Sequence, residues 1–133
     1  MARAVGIGGV FLKAKDPKQL AAWYAKHLGI AASEDGSLIF DGPGSAGMTV
    51  FAHFPADTKY FGEGPQDAMV NFRVDNLDEL LTQLAAEKVA IDPSRMDFSY
   101  GRFAWITDPE GHRVELWEAP TASASQKEET RQQ

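Results

Sequence analysis

The stretch YGRFAWITDPEGHRVELWEAP, Tyr100 to Pro120, decides the fold. Two apolar runs, RFAWITD and HRVELWE, flank the turn PEG, the pattern of two strands joined by a tight connection. Inside the second run stands one carboxylate, Glu115. In a strand half-buried on each face, an ionisable group needs a partner or a shifted pKa. Three readings of Glu115 stay open: an ion pair with Arg113 or Arg73, an acceptor for a ligand's amine or hydroxyl, and a general base tuned by burial.

Working outward, AMVNFRV reads as a strand and NLDELLTQLAAEKVAI as a helix with Leu77, Leu80, Leu81 and Leu84 inward. The segment DPSRMDFSYGR reads as a loop whose Arg95, Met96, Phe98 and Tyr100 close over a site. The first half has the same order. GGVFLKA is strand-like, and KDPKQLAAWYAKHLGI is a helix with Asp16 as N-cap, Pro17 at the first helical position and Gly29 as its stop. Leu20, Trp23 or Tyr24, and Leu28 share its apolar face. SLIFD and GMTVFAHF are short strands separated by the turn signal GPGSA. Asp16–Leu20 aligns with Asn76–Leu80 at a shift of 60, and Gly47–Phe51 with Gly111–Glu115 at a shift of 64, so the chain reads as two β-α-β-β-β modules. Module one spans about residues 4–55 and module two about 67–119, within one domain of residues 1–120. Residues 121–133, without a large apolar side chain, read as a disordered polar tail. HFPADTKYFGEGPQDA joins the modules, either as a plain linker or as a lid carrying Tyr60 and Phe61.

Composition narrows the function. The net charge of -6, with no run of Lys or Arg, argues against nucleic acid as a partner. The absence of cysteine removes disulfides, thiol nucleophiles and cysteine-ligated metals, and fits a cytoplasmic protein. No apolar run reaches membrane-spanning length, and no signal-peptide pattern opens the chain.

FLKAKDPKQLAAWYAKHLGI, FRVDNLDELLTQL and YGRFAWITDPEGHRVELWEAP together resemble the vicinal oxygen chelate superfamily, which includes glyoxalase I, extradiol dioxygenases and bleomycin-resistance proteins. The resemblance implies an α+β fold, two βαβββ modules whose sheets curl into an open cup. It also implies a small-molecule site in that cup and a homodimer. In metal-using relatives one ligand comes from each of four strands. Carried onto this chain, those positions are Gly9, Phe51, Met69 and Glu115, and three of the four cannot hold a hard or borderline cation. The resemblance therefore implies no metal and no cofactor here, unless His53 and Glu115 form a displaced site.

Strand alternation assigns the cup-facing side chains. Gly9, Phe11 and Lys13 come from the first strand, and Thr49, Phe51 and His53 from MTVFAHF. Met69, Asn71 and Arg73 come from AMVNFRV, and Arg113, Glu115 and Trp117 from HRVELWE. Phe11, Lys13, Phe51, His53, Met69, Asn71, Arg73, Arg113 and Trp117 are the expected ligand-binding set, with Glu115 as the candidate catalytic group. His27 reads as a surface residue favoured by the helix C-terminus, and His112 as part of the turn. The expectation is a metal-independent binder of an apolar or aromatic small molecule. The alternatives are a lyase, isomerase or dioxygenase using Glu115 as base or ligand, and a non-catalytic interaction module.

Overall fold

Strand β5 (Ala68–Val74) shows how the chain divides its side chains. Phe72 and Val74 turn toward helix α2 (Leu77–Ala86), while Met69 and Asn71 turn the other way. The computed structural model describes residues 1–33, 35–40 and 48–120, so the expected turn GPGSA and the expected polar tail lie outside the described residues.

Module one contains β1 (Ala4–Ala14), α1 (Pro17–Leu28), β2 (Ala31–Ala32), β3 (Leu38–Phe40) and β4 (Thr49–Pro55). Module two contains β5, α2, β6 (Ala90–Phe98), β7 (Gly101–Thr107) and β8 (Arg113–Glu118). Among the described residues the eight strands form one mixed sheet in the order β2-β3-β4-β1-β5-β8-β7-β6, which does not close. β1 pairs parallel with β4, β5 pairs parallel with β8, and β1 pairs antiparallel with β5. The two modules are thus joined within one chain through their first strands, with both helices on one face of the sheet and the cup on the other.

The helices begin as their sequences dictate. Asp16 accepts the Gln19 N–H and Pro17 sits in the first turn, while Asn76 accepts the Glu79 N–H. Gly29 closes α1 in the left-handed conformation at φ 68°. The Leu77 N–H at the start of α2 donates to Glu118 Oε1 at 2.7 Å, tying the helix to the end of β8.

The two helices differ in depth. Leu77 is fully buried with Val74, Ala104 and Leu116, and Leu80, Leu81 and Leu84 pack against that cluster. No residue of α1 is buried. Tyr24 is its inward ring, against Phe51 and His53, whereas Trp23 and Leu28 are exposed, which corrects the expectation for Leu28. An alanine-rich helix has little apolar side chain to sink into the sheet.

The segment expected as a loop over the cup is largely strand. β6 lies at the edge of the sheet against β7, with an irregular register between Ile91 and Arg95. Pro93 falls in that irregular stretch, where its missing N–H costs no ladder bond. An edge strand faces solvent, so its polar residues carried no alternation to read.

Candidate functional site

The concave side of the sheet holds a cavity of about 690 Å³, lined by strands of both modules. Its floor is built around Glu115, only 1% exposed. On β8 it is flanked by Asn71 of β5 and Trp105 of β7. Asn71 Nδ2 donates to Glu115 Oε2 at 2.9 Å, and the Tyr60 hydroxyl donates to Glu115 Oε1 at 2.5 Å. Burial pushes the Glu115 carboxyl above its usual range, while the hydrogen bonds from Tyr60 and Asn71 hold it down. The Trp105 indole also lowers it, yet Trp105 Nε1 lacks hydrogen-bond geometry to any partner among the described residues. Burial, and then the charge of Glu115, raise the Tyr60 phenol, so it stays a donor at neutral pH.

Tyr60 comes from the segment between the modules, where sequence offered a linker or a lid. The turns Thr58 N–H to Pro55 O and Gly62 N–H to Lys59 O fold this segment. Phe61 then anchors it, fully buried with Phe11, Ala52, Met69 and Trp105. Tyr60 stacks on Phe54 with ring centroids 5.3 Å apart, which aims its hydroxyl at Glu115.

Glycine makes room at the floor. A Cβ on Gly8 stands 2.2 Å from Asn71 Oδ1 and 2.7 Å from Trp117 Cε3, closer than any side chain can go. The β1 register shifts between Ile7 and Gly9, and this irregularity puts Gly8 among the lining residues where alternation pointed to Gly9.

The walls are aromatic. Phe103 and Trp117 stack with their planes 4° apart, and Trp117 Nε1 donates to Tyr100 O at 2.9 Å. Phe98 and Tyr100, stacked on each other at 5.0 Å and largely exposed, overhang the mouth from the β6–β7 turn. Ser33, Asp35 and Ser37 form the opposite rim.

Against this geometry the expected ligand-binding set divides. Phe11, Asn71, Glu115 and Trp117 line the cavity. Met69 is buried beneath it in the cluster with Phe11 and Phe61, and the Lys13 ammonium rests 5.6 Å from the Phe61 ring centre. Arg73 donates to Met48 O at 2.7 Å, near the rim. Arg113 does not pair with Glu115. Its Nη1 meets Asp92 Oδ2 at 2.6 Å, its Nε donates to Tyr60 O, and its guanidinium lies over the Trp105 ring.

Phe51 and His53 require correction. Both pack on Tyr24 of α1, on the helix side of the sheet, while Val50, Ala52 and Phe54 face the cup. Phe51 opposes Val50, Ala52 and Phe54 on the two faces of β4, so both faces are apolar and the alternation carried no phase. With His53 on the other side of the sheet, His53 and Glu115 do not form a displaced metal site. Burial lowers the His53 pKa, and its ring nitrogens are buried without a hydrogen-bond partner among the described residues. His27 lies against the Trp23 ring on α1, and His112 Nδ1 meets Asp108 Oδ2 at 2.9 Å on the surface.

Sequence reasoning missed Val50, Ala52, Phe54, Phe103 and the rim residues Ser33, Asp35 and Ser37. Tyr60 was visible as an aromatic on a turn-rich segment, but nothing in one sequence aims it at Glu115. Among the described residues no helix is long and apolar enough to cross a membrane, and no three His, Cys, Asp or Glu side chains gather to hold a metal ion.

No curated protein matches this chain. Among solved structures, methylmalonyl-CoA epimerase from Mycobacterium tuberculosis is 21% identical, with TM-score 0.66, covering 92% of this chain and 93% of that one. The Streptomyces coelicolor methylmalonyl-CoA epimerase bound to 2-nitronate-propionyl-CoA is 13% identical, with TM-score 0.67, covering 90% and 100%. A glyoxalase/bleomycin resistance protein/dioxygenase superfamily member from Vibrio splendidus 12B01 is 13% identical, with TM-score 0.52, covering 89% and 99%. At such identities these likenesses carry the fold alone. Residues 6–116 match the family model itself, and with the paired modules and the single open sheet they make this chain a member of the Glyoxalase/Bleomycin resistance protein/Dioxygenase superfamily.

Proposed function

We propose that this protein binds an apolar or aromatic small molecule in its cup without a metal ion. One observation carries the reading: both oxygens of the floor carboxylate already accept protein hydrogen bonds, inside a cavity walled by aromatic rings. An apolar lining with a few convergent polar groups is the usual makeup of a small-molecule site.

The metal that other superfamily members use does not fit these residues. β1 offers Gly8 and Gly9, β4 offers Val50, Ala52 and Phe54, and β5 offers Met69 and Asn71. Glu115 is the only anion among them, and a catalytic metal site typically needs three protein ligands. Titrating flat aromatic fragments into isotope-labelled protein, read by amide and indole chemical shifts, tests the binding reading. Shifts at Trp117, Phe103 and Asn71 support it, and shifts confined to other surfaces overturn it.

A second reading rests on the raised pKa of Glu115. A buried carboxyl moved toward neutral pH, with the Tyr60 phenol beside it, is equipped to take a proton from a bound substrate. That enzyme loses turnover in Glu115→Gln while keeping its fold; retained turnover on any substrate of the wild type rejects Glu115 as base. The proposal extends to a cytoplasmic homodimer. Exposed Val5, Ile7, Phe40 and Met48 supply apolar surface for a second copy, and sedimentation equilibrium reads the assembly.

A further inference from the structure

The charge of the cup is one-sided. Of the seventeen described residues that line it, seven are aromatic, two are acidic (Asp35 and Glu115), and none is lysine or arginine. The neighbouring cations are occupied: Arg113 by Asp92, Arg73 by Met48 O, and Lys13 by the Phe61 ring. Asp35 is fixed at the rim by the Ser33 hydroxyl and by the Ser37 N–H at 2.9 Å, and these bonds hold its carboxyl below the usual range. At the floor, beside Gly8, Asn71 Oδ1 is buried without a hydrogen-bond partner among the described residues, in a side chain only 2% exposed.

We infer that the cup selects a flat organic cation and rejects carboxylate and phosphate ligands. This rests on the small-molecule reading above and deepens it. Aromatic faces carry negative potential and attract cations, more strongly when water is excluded. The Phe98–Tyr100 pair and the Phe103–Trp117 stack supply such faces on one wall, and Asp35 supplies a full charge on the opposite rim. An anion entering the same space leaves its hydration behind and meets no lysine or arginine among the described lining residues, and the Ser33 and Tyr60 hydroxyls already donate to Asp35 and Glu115.

The test uses three flat tricycles of equal footprint: 9-aminoacridine, which is cationic at neutral pH, acridine, and acridine-9-carboxylate. Each is titrated into full-length protein at low and high salt, with affinity from calorimetry and location from the Trp117 and Phe103 resonances. The expected order is aminoacridine, acridine, carboxylate, with at least about tenfold between the first and last. Added salt shrinks that ratio, and Asp35→Asn narrows it by weakening the aminoacridine and relieving the carboxylate, with acridine little changed. Equal or tighter binding of the carboxylate in the cup overturns the charge inference and leaves the binding reading standing. Absence of cup resonance changes with all three compounds overturns both.

Discussion

At the residue scale, Glu115 couples the site to stability. Its folded pKa is raised, so the native state holds a proton more tightly than the unfolded chain does. Its contribution is therefore fully present at low pH, below the unfolded value of 4.5, and is lost as pH rises through the folded pKa. His53 has the opposite sign. Its folded pKa is depressed by burial below 6.5, so its contribution is lost as pH falls through the folded value. The two offset each other in mildly acid solution. Glu115→Gln leaves His53 unopposed, so urea denaturation should show the variant losing ground to the wild type as pH drops from 7 toward 5. A difference that stays flat across that range removes Glu115 from the ionisable core. Gly8→Ala is a second test at this scale. Its Cβ has no room between Asn71 Oδ1 and Trp117, and a destabilisation of about 1–3 kcal/mol is expected in the same assay. An unchanged midpoint means that the floor is not close-packed there.

At the scale of elements, the two helices share a fold position and differ in worth. Leu77 is 0% exposed and Leu28 is 64% exposed. Leu77→Ala should cost about 2–5 kcal/mol, whereas Leu28→Ala should stay within about 0.5 kcal/mol. Equal losses from the two contradict the shallow seating of α1. The β6–β7 turn behaves differently again. Phe98 and Tyr100 are largely exposed, so replacing both with serine should weaken aromatic ligands by about tenfold or more with little change in melting temperature. Unaltered affinity in that double variant rules the stacked pair out of the site. Legibility follows the same physics. The caps Asp16 and Asn76, the buried leucines of α2 and the hairpin around PEG were readable because each is a local pattern of short range. The facing of β4 was not, because both its faces are apolar. β6 was obscured by Pro93 and by its polar edge sequence. The Tyr60–Glu115 contact was hidden because its partners lie 55 residues apart and are brought together only by the anchoring of Phe61.

For the whole molecule, joining two βαβββ modules through β1 and β5 leaves an open sheet with one face covered by helices and one face concave. The concave face is walled by rings and floored by a hydrogen-bonded carboxylate, the arrangement on which the proposed metal-free binding rests. The account's central claim, that the cup recognises its ligand without a metal, is tested most directly by ligand-induced thermal stabilisation. The protein is first stripped with chelator and then reloaded separately with Mn, Fe(II), Co, Ni or Zn. A ligand that binds only the native state raises the melting temperature with its concentration. The account predicts the same rise in the chelated protein and in every reloaded sample. A rise that appears only after one metal is restored, with that metal retained near one per chain, contradicts it.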